Sequence, residues 1–348
     1  MSQAPWSWRP DLAPWARSLR PALEAWRPEE SLELDADAIR GAMCEAVEAG
    51  AGWLRHPFLN PLTSANPENR ARRDVQFAVW VAANSAAPLG SVAIREPIEL
   101  WTAAGDETMA PGTHRLAKLG AIMRERASPV PLPLDPWCGS IGYPLENSWA
   151  SAFDSPDETA RGREIVGYCR TFAAVGRLMP SAMEWILCAT RVVIPMLPRE
   201  GGVFRSGSQA DLPGLVYTDL HGGPAQILET VVHETAHNHL YVAEAQGPLV
   251  DPGHHGRYHS PLRPEPRPLR GILLACHALA YICAAFRDAV EGGVMGESSC
   301  GGVVRDLRKR RDEARGTLEA NHRHLTPLGR DFFARTAEVC DYGNFRAG

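Results

Sequence analysis

The chain has 348 residues, 45% of them hydrophobic and 22% charged, enough for one large domain or two modest ones with a proper core. A formal net charge of -5 and a pI near 6.2 carry no polyanion-binding signature, so nucleic acid is not an expected partner. No apolar run approaches the ~18–20 residues that span a bilayer, and the N-terminus lacks the basic start and apolar core of a secretory signal.

Eight cysteines are scattered without a CxxC pair. Without an export signal they read as reduced core thiols, so the expectation is a cytoplasmic protein without a membrane partner.

In chain order, residues 31–54 read as a helix, with apolar residues at helical spacing and acids near the start. A second helix is expected over 70–86. Residues 97–153, rich in Pro, Gly and Trp, give no assignment. Ser155 as cap, Pro156 in first position and Glu158 completing a capping box then open a clear helix. Strands are expected at 189–197 and 213–220, the first rich in β-branched residues.

A helix over about 224–246 follows, then a proline-studded connector, DPGHHGRYHSPLRPEPRP, and another helix at roughly 269–289. A charged helix starts near Arg305. Its charge run reads as a solvated face, with docking of an acidic peptide as the alternative. The expected fold is mainly α with a small β-sheet (α+β). Residues 1–150 form a helical N-terminal part and 151–348 a catalytic part. Strand, strand, motif helix, connector and second helix is the order of a zincin-like core.

The stretch ETVVHETAHNHL contains His-Glu-x-x-His at His233, Glu234 and His237. Residues i and i+4 share a helix face, so the two histidines can grip one ion, with Glu234 beside it as a base for metal-bound water in a hydrolase. Eight of the twelve histidines fall between His221 and His277, where an even spread would place about two. The plain alternative, two solvated histidines, conflicts with the apolar residues flanking them on several sides.

Leu240 and Ala243 stand where a metzincin needs glycine and histidine, which excludes that class. Glu244 lies roughly 10 Å further along the helix, suited to a supporting or substrate contact. His277, in the all-apolar run ILLACHALAYICAAF, is the better third ligand; the alternative is a core histidine bonded to a carbonyl. His254, His255 and His259 read as surface or substrate-side residues. Asp251 and Glu229 either orient ligand histidines or serve as turn and helix surface.

The stretch from about Phe204 to Phe286 resembles the HExxH-motif peptide-modification proteins. Its segments FRSGSQADLPGLVYTDL, ETVVHETAHNHL and PLVDPGHHGRYHSPLRPEPRPLRGILLACHALAYI carry the likeness. It covers about a quarter of the chain. Members of that family act as iron(II)- and 2-oxoglutarate-dependent peptide β-hydroxylases on ribosomally made peptides. The resemblance implies iron on His233, His237 and His277. It also matches Arg263 and Arg267 to the family's basic connector.

Such an oxygenase needs a cation for the far carboxylate of 2-oxoglutarate, and a guanidinium fork suits it; a solvated loop is the plain reading of both arginines. The expected function is therefore Fe(II)- and 2-oxoglutarate-dependent hydroxylation of a precursor peptide. A zinc-dependent HExxH metallopeptidase is the alternative. A third reading, an inactive peptide-binding module, conflicts with the intact motif.

Overall fold

The computed structural model describes residues 5–9, 11, 13–30, 32–49, 51, 70–102, 105–125, 158–196, 205–210, 214–297 and 300–344. It is mainly helical with small sheets, as the expected α+β class requires.

The N-terminal part carries α1 (Ala13–Ser18), α2 (Arg20–Ala25), α3 (Ala36–Glu48), α4 (Arg70–Asn84) and α5 (Leu116–Glu125). The helix expected over 31–54 starts later than predicted. Glu33–Leu34 form a short strand, β1, and Asp35 caps α3 by accepting from the Ala38 N–H at 3.0 Å.

The expected helical N-terminal part carries strands as well as its helices. β1 joins β2 (Ser91–Ile94) and β5 (Gly112–Arg115) in an antiparallel sheet, and β3 (Ile98–Thr102) pairs with β4 (Gly105–Met109) as a separate hairpin. These strands are four or five residues at most, too short for alternation to stand out, and pairing rather than local preference sets them.

α6 (Glu158–Leu178) follows; its expected cap, Ser155–Pro156, lies outside the described residues. α7 (Pro180–Ala189) leads into β6 (Val192–Met196), which pairs in parallel with β8 (Leu215–Asp219). A two-residue strand, β7 (Ser206–Gly207), adds antiparallel to β8.

β6 and β8 are buried on both faces, which explains their unbroken apolar runs. Val193 and Val216 face a core shared with the C-terminal helices. Val192, Ile194, Leu215 and Tyr217 face a second core built by the N-terminal part. The sheet is the wall between the two cores.

The motif helix α8 (Pro224–Glu244) opens with Pro224 in its first turn, where a missing N–H costs nothing. The proline-studded connector carries regular structure. Arg257–Ser260 (β9) and Arg263–Pro268 (β10) form a hairpin whose register shifts between Arg263 and Arg267, the irregular edge pairing that proline permits.

α9 (Leu269–Glu291) is the central helix of the C-terminal core, with Ile272, Leu273, Leu279, Ile282 and Phe286 buried. Each such side chain contributes a gross ~1.5–3 kcal/mol. Contrary to the sequence expectation, α9 is long and apolar enough to cross a membrane, but its most apolar window is 83% buried inside the protein.

α10 (Gly301–Ala320) and α11 (Pro327–Tyr342) close the core. The charge run of α10 is not wholly solvated: Arg311 is fully buried and donates to the Cys340 carbonyl at 3.0 Å. Near the N-terminus, Trp6 donates to Asp288 of α9 at 2.6 Å, so the first described residues belong to the C-terminal core.

Candidate metal centre

Apolar residues at helical spacing hold α8 against the sheet and α9. Between Val231 and Leu240 only His233 and His237 are half-buried; the residues between and around them are buried. Their ring centroids lie 4.5 Å apart. A donor atom from each of His233, Glu234 and His237 falls within 4.8 Å of the others. Two imidazoles one turn apart with a carboxylate beside them is a donor set that fits a divalent ion.

Glu234 is buried and both of its oxygens are engaged. Oε1 accepts from Ser206 at 2.7 Å, and Oε2 accepts from Ser208 at 2.8 Å and lies 3.2 Å from His237 Nδ1. Ser206 and Ser208 reach the same carboxylate because residues two apart on an extended chain share a face. Gly207 between them is forced: a Cβ there would lie 2.3 Å from the Tyr217 ring.

Burial works to raise the Glu234 carboxyl, but the His237 and His233 imidazoles and the Ser206 hydroxyl overcome it and hold it at about 2. Burial and the neighbouring His237 push His233 down to about 4. Glu234 opposes that shift, and Arg263, on β10, adds to it.

His277 does not join the cluster of three. It is buried on α9, with Nδ1 2.9 Å from Thr336 Oγ1 of α11. Thr336 gives its own proton to the Phe332 carbonyl at 3.0 Å. Its oxygen therefore accepts from His277, which places the imidazole proton on Nδ1. Nε2 is left a lone pair with no hydrogen-bond partner. A buried nitrogen of this kind fits a metal ligand whose other nitrogen is fixed by a neighbour. Burial, then His237, pushes His277 down to about 3.

Arg263 and Arg267 are exposed, and neither side chain forms a hydrogen bond or ion pair among the described residues. They differ in what they face. The charge of Arg263 reaches His233, whereas Arg267 lies against Gly271 in the first turn of α9.

The remaining polar expectations resolve structurally. Glu244 is held in a bidentate fork by Arg270, both contacts 2.6 Å. Asp251 closes a turn on the Gly253 N–H, and Glu229 faces the charge of Arg310. His239 stacks on Trp185 at 4.3 Å, His254 stacks on His324 at 3.8 Å, and His259 pairs with Glu313 at 3.1 Å. The histidine cluster in the sequence thus serves several unrelated contacts.

Ser206, Ser208 and Thr336 were not singled out from the sequence. The polar SGS just before a strand was the visible signal for the first two. Nothing local marks Thr336, which comes to His277 only through tertiary packing. Searched against protein-family models and curated proteins, the chain matches none.

Proposed function

We propose that this protein is an iron(II)- and 2-oxoglutarate-dependent oxygenase that hydroxylates a side chain of a ribosomally made peptide, built on a zincin-like core. The carrying observation is the state of Glu234. Two hydroxyls donate to its two oxygens, and His237 Nδ1 stands 3.2 Å from Oε2 as an ion-pair contact, so part of its roughly four-site accepting capacity is already taken. A peptidase base must reach metal-bound water from that same carboxylate. Here the carboxylate is anchored as a support for His237.

When bound, ferrous iron with dioxygen and 2-oxoglutarate would supply the chemistry that converts a Cβ–H bond to Cβ–OH, with succinate and carbon dioxide as co-products. His233 and His237 would hold the ion, and His277, whose free Nε2 stands outside the cluster of three, would have to approach it to serve as third ligand. Glu234 Oε2 lies beside His237 Nδ1, which would leave Nε2 of that ring as the ligating atom. Arg263 offers a guanidinium to the far carboxylate of the keto acid. In the zincin-like reading, the mixed sheet β6–β8–β7 covers the motif helix and α9 backs it.

The alternative, a zinc peptidase, is favoured by the closeness of Glu234 to both histidines. Anaerobic reconstitution with iron(II) separates the two. A charge-transfer absorption on adding 2-oxoglutarate, and peptide mass increased by one oxygen, support the oxygenase. No such absorption, together with peptide cleavage by the zinc form, overturns it.

A further inference from the structure

The N-terminal part holds a cavity of about 350 Å³ that the metal chemistry does not use. Its apolar wall includes Val79 of α4, Leu100 of β3, Met109 of β4 and Leu119 of α5, and Arg115 and Lys118 line it as well. That volume lies in the range of small-molecule sites, roughly 300–1,000 Å³. The wall is firmly built, because α5 meets α4 so closely at Gly120 that a Cβ would lie 2.7 Å from the Ala83 nitrogen.

Among the described residues, Arg115 and Lys118 line the cavity and no acid does. Arg115 immediately precedes α5 and Lys118 is its third residue, while the first turn carries no acid. Cations at this end oppose the helix dipole, whose N-terminus is positive and favours anions. Neither cation has a hydrogen bond or ion pair among the described residues. Acids are not scarce in the chain, with 41 against 36 bases. Local choices that work against folding concentrate where a ligand completes the site.

We propose that this cavity binds a small amphipathic carboxylate. The head group sits between Arg115 and Lys118 at the N-terminus of α5, and the apolar body lies among Val79, Leu100, Met109 and Leu119. Arginine offers the carboxylate a planar fork and lysine a second charge. The site is independent of the metal centre.

Calorimetric titration of the full-length protein with octanoate, octanol and acetate tests it. Octanoate is expected to bind saturably, with octanol (no charge) and acetate (no apolar body) each weaker by about tenfold or more. The exposed double variant R115Q/K118Q should lose octanoate affinity by a similar factor with an unchanged circular dichroism spectrum. Reversal in R115E/K118E should abolish binding and raise the melting temperature of the ligand-free protein, because acids then face the helix N-terminus. The proposal is overturned if octanol binds as well as octanoate, if octanoate does not bind, if its binding survives charge removal, or if reversal does not raise the melting temperature.

Discussion

Glu234 Oε2 lies 3.2 Å from Nδ1 of His237, three positions along the same helix, and Ser206 and Ser208 hold the carboxylate there. A carboxylate that fixes a ligand imidazole acts on metal affinity before it acts on chemistry, and losing such a partner typically costs ~10–100-fold in metal binding. Glu234→Gln should weaken iron binding by that order and retain detectable turnover per bound iron. Losing the general base of a peptidase would remove ~10²–10⁴-fold of the rate. Iron affinity by chelator competition, followed by turnover at saturating iron, separates the two. Near-complete loss of turnover with iron and 2-oxoglutarate bound normally would sink the supporting role.

The Thr336–His277 bond makes a second prediction. Thr336→Val removes the acceptor that keeps the proton on Nδ1. If Nε2 is the third ligand, metal affinity should fall by about tenfold or more, and Thr336→Ser should restore it. If Thr336→Val lowers only the melting temperature, as the ~1–3 kcal/mol cost of an unsatisfied buried donor predicts, His277 is a core histidine and its assignment as ligand fails.

Much of this centre was legible because long periodic elements carry it. The motif helix, the second helix and the two parallel strands all read from hydrophobic spacing, and His233 and His237 follow from the helix period. Shorter or proline-rich pieces did not. β7 is two residues long, and β10 alternates prolines that suppress strand preference until an edge position makes them harmless. The contact of Trp8 with His277, ring centroids 5.8 Å apart, joins residues far apart in sequence. The excess of histidines misled in degree, since His239, His254 and His259 satisfy packing and ion-pair contacts instead.

Stability of the metal-free protein should fall on acidification. His233 and His277 are depressed from 6.5 to about 4 and about 3, so each is neutral in the fold while the unfolded chain takes up a proton. Glu234 is depressed from 4.5 to about 2 and shifts in the same sense. For all three the unfolded state binds more protons, so stability is fully present above about pH 6.5 and lost as pH drops. The histidines act from about pH 6.5 down to pH 3–4, and Glu234 joins below about pH 4.5. Each titrating group removes at most ~1.4 kcal/mol per pH unit. Melting temperature against pH reads this directly, and a flat profile between pH 6.5 and 4 would show that these imidazoles are not held neutral.

In the proposed oxygenase a guanidinium clamps the keto acid's far carboxylate, and Arg263 and Arg267 are the two candidates for it. Four residues along a regular strand span roughly 13 Å, so the two arginines leave β10 at separate points. The charge of Arg263 reaches His233, while Arg267 rests on Gly271. Losing a charge-assisted bond to a carboxylate costs ~1.5–3 kcal/mol, a roughly tenfold to 150-fold change in affinity. Arg263→Ala should therefore raise the 2-oxoglutarate requirement by that order and leave iron binding nearly intact. Arg267→Ala should change it much less. Titrating 2-oxoglutarate into the anaerobic iron(II) form of each variant decides the matter. A larger effect at Arg267 would return the clamp to that residue, and no effect at either would place the carboxylate on another group.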